Sequence, residues 1–171
     1  MESQNHQTAS EGRLYLVTGA SGYVGGRLVR DLLSDGKKVR VFVRDAKKIA
    51  QQPWADRVDV VQGTATNSQD LDRALAGVHT AYYLLHSINV STDFETIEAQ
   101  MAKRFADSTE AAHVKQIIYL GGIANDENRS RHLTSRMDTG KNLASSSVPV
   151  LELRAGIIIG SGSASLKCCA T

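Results

Sequence analysis

The stretch Thr18-Gly19-Ala20-Ser21-Gly22-Tyr23-Val24-Gly25 follows the β-rich run Leu14-Tyr15-Leu16-Val17 and leads into a segment carrying Leu28, Val29, Leu32 and Leu33. The first run reads as a strand and the second as an amphipathic helix, so the three glycines fall on a strand-to-helix turn. Each glycine has its own expected task. Gly19 lets the chain turn sharply off the strand, Gly22 admits close approach of the backbone to a pyrophosphate, and Gly25 lets the helix pack tightly on the sheet. The N–H groups and the positive dipole end of that helix then make an anion site. A nucleotide phosphate is the ligand implied, with Ser21, Tyr23 and Val24 as further contacts in the same turn.

Outward from this turn, β-rich runs alternate with amphipathic stretches. Strands are expected at residues 13–18, 38–43, 57–62, 80–85, 115–120 and 150–154, and helices at 23–34, 46–51, 68–76, 93–112 and 133–145. Strands built of near-continuous Val, Ile, Leu and Tyr suit a parallel sheet covered on both faces. The fold class is therefore α/β, a doubly wound Rossmann sheet with helices on both faces and strand order 3-2-1-4-5-6. In the fourth helix Phe94, Ile97, Met101, Phe105 and Ser108 recur at helical spacing, after a Ser91-Thr92 pair suited to capping, and are expected to face the core. Gly36 and Gly77 stand where a residue of positive φ ends a helix at little cost.

The chain has 171 residues, 42% hydrophobic and 22% charged, which suits one domain with a real core. Its net charge of +2 is scattered, which argues against nucleic acid or an anionic membrane surface as partner and for a small molecule. The longest apolar runs, such as residues 81–85, fall far short of the roughly 20 residues of a membrane span. Residues 1–12 read as a disordered leader, 13–165 as the nucleotide-binding domain and 166–171 as a short tail. Cys168 and Cys169 are adjacent, giving neither a disulfide framework nor zinc-ligand spacing, so the cytoplasm is the expected compartment and no metal is expected.

The turn resembles that of the short-chain dehydrogenase/reductase superfamily, in particular its atypical and extended branches with NmrA-like and epimerase-like members. Ala81-Tyr82-Tyr83-Leu84-Leu85-His86-Ser87, Ile117-Ile118-Tyr119-Leu120-Gly121-Gly122, and the stretch from Leu153 through Gly156 and Gly160 to Ser163 are similar to bacterial members of that group. The resemblance implies an NAD(P)-dependent oxidoreductase or epimerase-like activity, or an NmrA-like redox-sensing module without catalysis. It also implies a substrate domain after the nucleotide fold. Residues 166–171 lack an amphipathic pattern, so that half is expected to be missing, which would leave residues 157–159 exposed.

Cofactor choice is expected just after the second strand, where a carboxylate favours NAD and an Arg can pair with the 2′-phosphate of NADP. Arg44 comes first and favours NADP, while Asp45 keeps NAD open as the alternative. After the third strand the superfamily often shows Gly-Asp-x-x-Asp, whereas this chain reads Gly63-Thr64-Ala65-Thr66-Asn67. Adenine recognition is then expected to rest on backbone groups near Gly63 and Thr64. Leu85, His86 and Ser87, at the end of the fourth strand, are expected to flank the ribose.

The superfamily's Tyr-x-x-x-Lys pair is absent. By spacing, His132 stands in the place of the Tyr and Arg136 in that of the Lys, one helical turn apart. His132 is a candidate for proton transfer, although a neighbouring Arg disfavours the imidazolium, and Arg136 is a candidate for binding ribose or phosphate oxygens. His79, His86 and His113 are read as surface or satisfied polar residues, and Asp126, Glu127 and Asp138 as loop or helix-surface acids, with support of the catalytic side chains as their alternative role. The partners expected are the dinucleotide and an unidentified small-molecule substrate, with a homo-oligomer left open.

Overall fold

The computed structural model describes residues 12–86, 94–123, 131–156, 158 and 160. Six parallel strands, β1 (Leu14–Thr18), β2 (Lys38–Val43), β3 (Asp59–Gln62), β4 (Val78–Tyr83), β5 (Gln116–Gly122) and β6 (Val150–Ala155), form one sheet in the order β3-β2-β1-β4-β5-β6. The helices are α1 (Tyr23–Ser34), α2 (Ser68–Leu75), α3 (Phe94–Ala111) and α4 (Arg131–Leu143). Parallel neighbours need crossovers of one hand, so reversing direction after β3 moves the crossovers to the other face of the sheet. Accordingly Val29, Leu32 and Leu33 of α1 pack with Val17, Val39 and Val41 on one face. Leu71, Leu75, Ala102, Phe105 and Leu143 of the other three helices pack with Leu16, Ala81, Ile117 and Tyr119 on the opposite face. The strand order changes direction between β1 and β4, and ligands of such sheets bind at the carboxyl ends beside that point.

Strand ends differ from the periodicity for identifiable reasons. β4 stops at Tyr83 because the Thr18 hydroxyl takes over the Leu84 N–H at 2.9 Å while donating to the Tyr82 carbonyl at 3.0 Å, so Leu84, Leu85 and His86 leave the ladder. β5 continues through Gly121 and Gly122, which pair with Arg154 and Ala155. β3 begins only at Asp59, after a 3-10 turn at Ala55–Arg57.

The helix expected at residues 46–51 is a single 3-10 turn, Ala46–Lys48. Pro53 lies too close for a longer helix, and the connection to β3 is anchored by two buried side chains, Ile49 and Trp54, instead of a helical stripe. In α3 Phe94, Phe105 and Ser108 of the expected stripe are buried and Met101 is half-buried against the core, but Ile97 is 40% exposed and Glu98, Ala102, Ala106 and Thr109 are buried as well. Ala102, Ala106 and Ser108 are small and buried, and α3 packs closely against α4 and α2, so the neighbouring helices share in choosing its face. The Ser91-Thr92 cap and residues 157 and 159 lie outside the described residues. Ile158 is half-buried, and on the edge strand β6 the apolar side chains Leu151 and Leu153 are exposed, at 46% and 50%.

Gly36 and Gly77 take positive φ, as their places after helices require. The fully buried positions of α4 are Ser135, Thr139 and Leu143, four residues apart, with Leu133 and Met137 half-buried beside them, so hydroxyls share in docking this helix.

Candidate dinucleotide site

The glycine turn is held against the end of β4. The Thr18 hydroxyl bridges the two strands, and Gly19, with φ of 67°, passes so close that a Cβ there would lie 2.7 Å from the Leu84 carbonyl oxygen. A Cβ on Gly25 would lie 2.3 Å from the Gly19 carbonyl oxygen and 2.9 Å from Ala20 Cα, all rigid backbone. Both glycines are therefore required sterically. The Gly22 N–H donates to the Gly19 carbonyl at 2.9 Å, closing the turn. Gly22 caps α1 without a side-chain hydrogen bond, and the first turn holds no acidic residue. Its N–H groups and dipole are thus available to an anion. Arg27 stacks over the Tyr23 ring at 3.7 Å, and the Tyr23 hydroxyl fills the space where a Cβ on Gly160 would sit, which ties the turn to the chain beyond β6. Ser21 is exposed and Val24 half-buried on the same turn.

At the end of β2, Arg44 is exposed and makes no hydrogen bond or ion pair among the described residues. Asp45 is engaged: its carboxylate accepts the Lys47 N–H at 3.0 Å and caps the 3-10 turn. Beyond β3, Thr64 donates its N–H to Asp70 Oδ2 at 3.0 Å, and its hydroxyl meets that of Thr66 at 2.9 Å. Asp70 packs against Gly63, where a Cβ would lie 2.6 Å from the Asp70 side chain, and pairs with Arg73 at 2.6 Å. An acid therefore does stand beside this strand end, supplied from α2 three residues after Asn67. The Thr64 N–H is already committed to it.

At the ends of β4 and β5, Leu85 and His86 are half-buried, and the His86 ring packs on Tyr119 with centroids 6.4 Å apart. His86 is not the satisfied residue expected from the sequence, since its Nε2 is buried with no partner among the described residues. Burial and, next, the Arg136 charge push its pKa down to about 4, while Glu98 and a hydrogen bond to the Leu120 carbonyl oppose them. The ring is neutral at pH 7. Arg136 lies along the flat backbone of Gly122, where a Cβ would meet its Cδ at 3.3 Å. Its carbonyl accepts the Tyr119 hydroxyl at 2.8 Å. Burial raises the Tyr119 pKa to about 12, keeping that hydroxyl a donor. His132 belongs to α4, but its side chain, like Ser87, Asp126 and Glu127, lies outside the described residues. Asp138 pairs with Lys141 at 3.1 Å, and His79 Nδ1 meets the Thr80 hydroxyl at 2.9 Å.

The turn, Leu85, His86 and Arg136 thus share one end of the sheet at the change of strand direction, with Arg44 and Gly63 on its outer side. The arrangement fits a dinucleotide: a helix N-terminus whose first turn holds no acid, close backbone approach, and a guanidinium that is free among the described residues. Sequence reasoning missed Asp70, Glu98, Ser135 and Tyr119. For Glu98 a signal existed, since it completes the spacing Phe94, Glu98, Ala102, Phe105. Among the described residues no group of three His, Cys, Asp or Glu is placed to hold a metal, and no helix is long and apolar enough to cross a membrane.

A family model described as NAD(P)H-binding matches residues 19–146, from the first turn glycine past the end of α4. The chain belongs to this NAD(P)H-binding family. Among relatives of this NAD(P)H-binding domain, a ceramide reductase of Caulobacter vibrioides is 28% identical over 149 residues, 85% of this chain and 46% of that protein. A 3-beta-hydroxysteroid dehydrogenase of Mycolicibacterium neoaurum is 31% identical over 106 residues, 62% of this chain and 28% of that protein. In fold, the Citrobacter sp. triphenylmethane reductase complexed with NADP(H) is similar with a TM-score of 0.70 at 21% identity, covering 85% of this chain and 50% of the other. A short-chain dehydrogenase/reductase superfamily protein from Agrobacterium tumefaciens with bound NAD is similar with a TM-score of 0.69 at 20% identity, covering 83% and 48%. The chain spans half or less of the length of each of these proteins.

Proposed function

We propose that this domain binds NADP(H) in preference to NAD(H) and serves a short-chain-type oxidoreductase that acts on a small-molecule carbonyl or alcohol. The observation that carries the cofactor choice is the pairing at the end of β2. Arg44 is exposed and uncommitted, while Asp45, the carboxylate that would select an unphosphorylated ribose, is held in a backbone cap. The guanidinium fork suits a phosphate, and hydrogen bonds to charged groups contribute about 1.5–3 kcal/mol, or roughly ten- to a hundredfold in affinity. The names of the ceramide reductase and the steroid dehydrogenase support the oxidoreductase reading, and the similar folds, one with NADP(H) and one with NAD, leave the cofactor choice to Arg44.

In this reading Gly19, Ser21, Gly22, Tyr23, Val24 and Gly25 receive the pyrophosphate, Gly63 and Thr64 border the adenine, and Leu85, His86 and Ser87 flank the ribose on the nicotinamide side. The nicotinamide supplies hydride chemistry when bound. Arg136, fixed on Gly122, donates to ribose or substrate oxygens there, and His132, one turn earlier on α4, is the candidate for proton transfer. The substrate is a small molecule, assembly as a homo-oligomer is compatible with the domain, and the cytoplasm is the compartment proposed. The absent Tyr-x-x-x-Lys pair favours a second reading, a dinucleotide-binding sensor without turnover. Incubation with NADPH and a panel of carbonyl compounds, followed by nicotinamide absorbance, separates the two. Turnover abolished by His132→Ala supports the enzyme, whereas tight NADPH binding with no turnover of any compound supports the sensor.

A further inference from the structure

We propose that Glu98 of α3 is a positioning residue for Arg136: through Ser135 it holds α4 in the register that lays the guanidinium on the carboxyl end of β5. The inference rests on the reading of that strand end as the nicotinamide side of the site. Glu98 is 8% exposed and Ser135 4%, and the Ser135 hydroxyl donates to Glu98 Oε2 across the α3–α4 interface. A carboxylate in that place has no packing rationale, since the adjoining inward positions of α3 are Phe94, Ala102 and Phe105. Its cost is explained if it specifies one docking geometry, the best-attested use of a buried polar group.

The inner face of α4 needs such a specification. Ser135 and Thr139 offer no large apolar surface, and Leu143 is at the far end of the helix. In the first turns the apolar packing comes to Leu133, half-buried against Gly122, and a single such contact leaves the helix able to rotate about it. Three polar fixings remove that freedom: Ser135 to Glu98, the Tyr119 hydroxyl to the Arg136 carbonyl at 2.8 Å, and the Thr139 hydroxyl to Tyr119. Two hold α4 to β5 and one holds it to α3. Arg136 directly follows Ser135, so a helix held at Ser135 fixes the direction in which the guanidinium leaves the backbone. The exposed ion pair of Arg131 with Glu95 at 3.0 Å joins the same two helices one turn earlier, but a surface pair of this kind contributes little.

His86 reports on the position of Arg136. The groups acting on its ring are Arg136 from α4, Glu98 from α3 and the Leu120 carbonyl from β5. Ser135→Ala cuts the fixing while keeping both charges. If Arg136 then swings away, its depressing effect is lost and the His86 pKa rises from about 4 toward its ordinary 6.5, read by NMR titration of the imidazole protons. An unchanged His86 titration in Ser135→Ala would overturn the proposal, whether or not the protein binds a cofactor.

The second readout is NADPH affinity. Ser135→Ala and Glu98→Ala should each weaken binding about tenfold, and Glu98→Gln, which keeps an acceptor oxygen for Ser135, should recover most of it. In an Arg136→Ala background the same two changes should cost less than about twofold, because groups that act through a shared partner are not additive. Equal losses in both backgrounds, or no recovery with Glu98→Gln, would overturn it. Failure of the wild-type domain to bind NADPH refutes the nucleotide reading instead, and the His86 titration still decides this one. Should Glu98→Ala not fold, Ser135→Ala removes a single oxygen and carries both readouts.

Discussion

Replacing Gly25 by alanine tests whether the close seating of α1 on the turn is what makes the phosphate site. The added Cβ would stand 2.3 Å from the Gly19 carbonyl oxygen, 2.8 Å from its carbon and 2.9 Å from Ala20 Cα. None of these is a flexible side-chain end, so either α1 moves outward or the turn opens. Overpacking of this kind costs about 1–3 kcal/mol. Alanine recovers about 1 kcal/mol of that through its better helix propensity. The net stability loss is therefore modest, about 0–2 kcal/mol. Binding should suffer more, because the shift displaces the N–H groups of the first turn from the phosphates. Each hydrogen bond to a charged group is worth about 1.5–3 kcal/mol, so NADPH affinity should fall at least about tenfold. Gly26→Ala is the control. Its Cβ would lie 3.3 Å from the Ala20 carbonyl oxygen, a contact relieved by a few tenths of an ångström, and it adds the same helix propensity. Urea unfolding and NADPH fluorescence titration of both variants make the comparison. If Gly25→Ala binds NADPH as the wild type does while folded, the steric argument for the turn is wrong.

Other outcomes follow from single side chains. His86 has its pKa lowered to about 4 in the folded protein against 6.5 ordinarily, so the unfolded chain binds the extra proton between those values and stability rises with pH across that window. His86→Gln should flatten the stability-against-pH curve between pH 4 and 6.5 in urea unfolding. Arg40 donates to the carbonyls of residues 73, 74 and 76 and pairs with Asp59 at 2.6 Å, closing the C-terminus of α2 against β2. Arg40→Met should cost about 1–3 kcal/mol in the same assay. On α3, Phe105→Ala should cost about 3–5 kcal/mol and Ile97→Ala within about 0.5 kcal/mol, the reverse of equal membership in one stripe. His113 ends α3 at φ of 57°, and His113→Gly should stabilise the domain by about 1 kcal/mol.

Much of this was legible from the chain because it is local chemistry. The turn, its glycines and the two flanking elements lie within a single βα unit, and α1 begins and ends where the periodicity places it. The strand order follows from chain alternation and crossover handedness. What could not be read depends on contacts distant in sequence. Thr18 ends β4 through a hydrogen bond sixty-odd residues away, so the strand's own pattern runs on too far. The face of α3 is set partly by its packing against α4 and α2, elements distant in sequence, which hides Glu98 against Ser135 and leaves Ile97 exposed. Asp70 reaches Thr64 from the next helix and so escapes a motif written as consecutive residues. The Nε2 of His86, without a partner among the described residues, becomes visible only once Tyr119 and Arg136 are packed around it.

The most direct test of the cofactor assignment is the ratio of dissociation constants for NADH and NADPH, measured by fluorescence titration on the wild type and on Arg44→Ala. The wild type should bind NADPH more tightly by about tenfold or more, and the substitution should bring the ratio close to unity by weakening NADPH alone. Equal weakening of both cofactors, or a wild type that prefers NADH, would contradict the account.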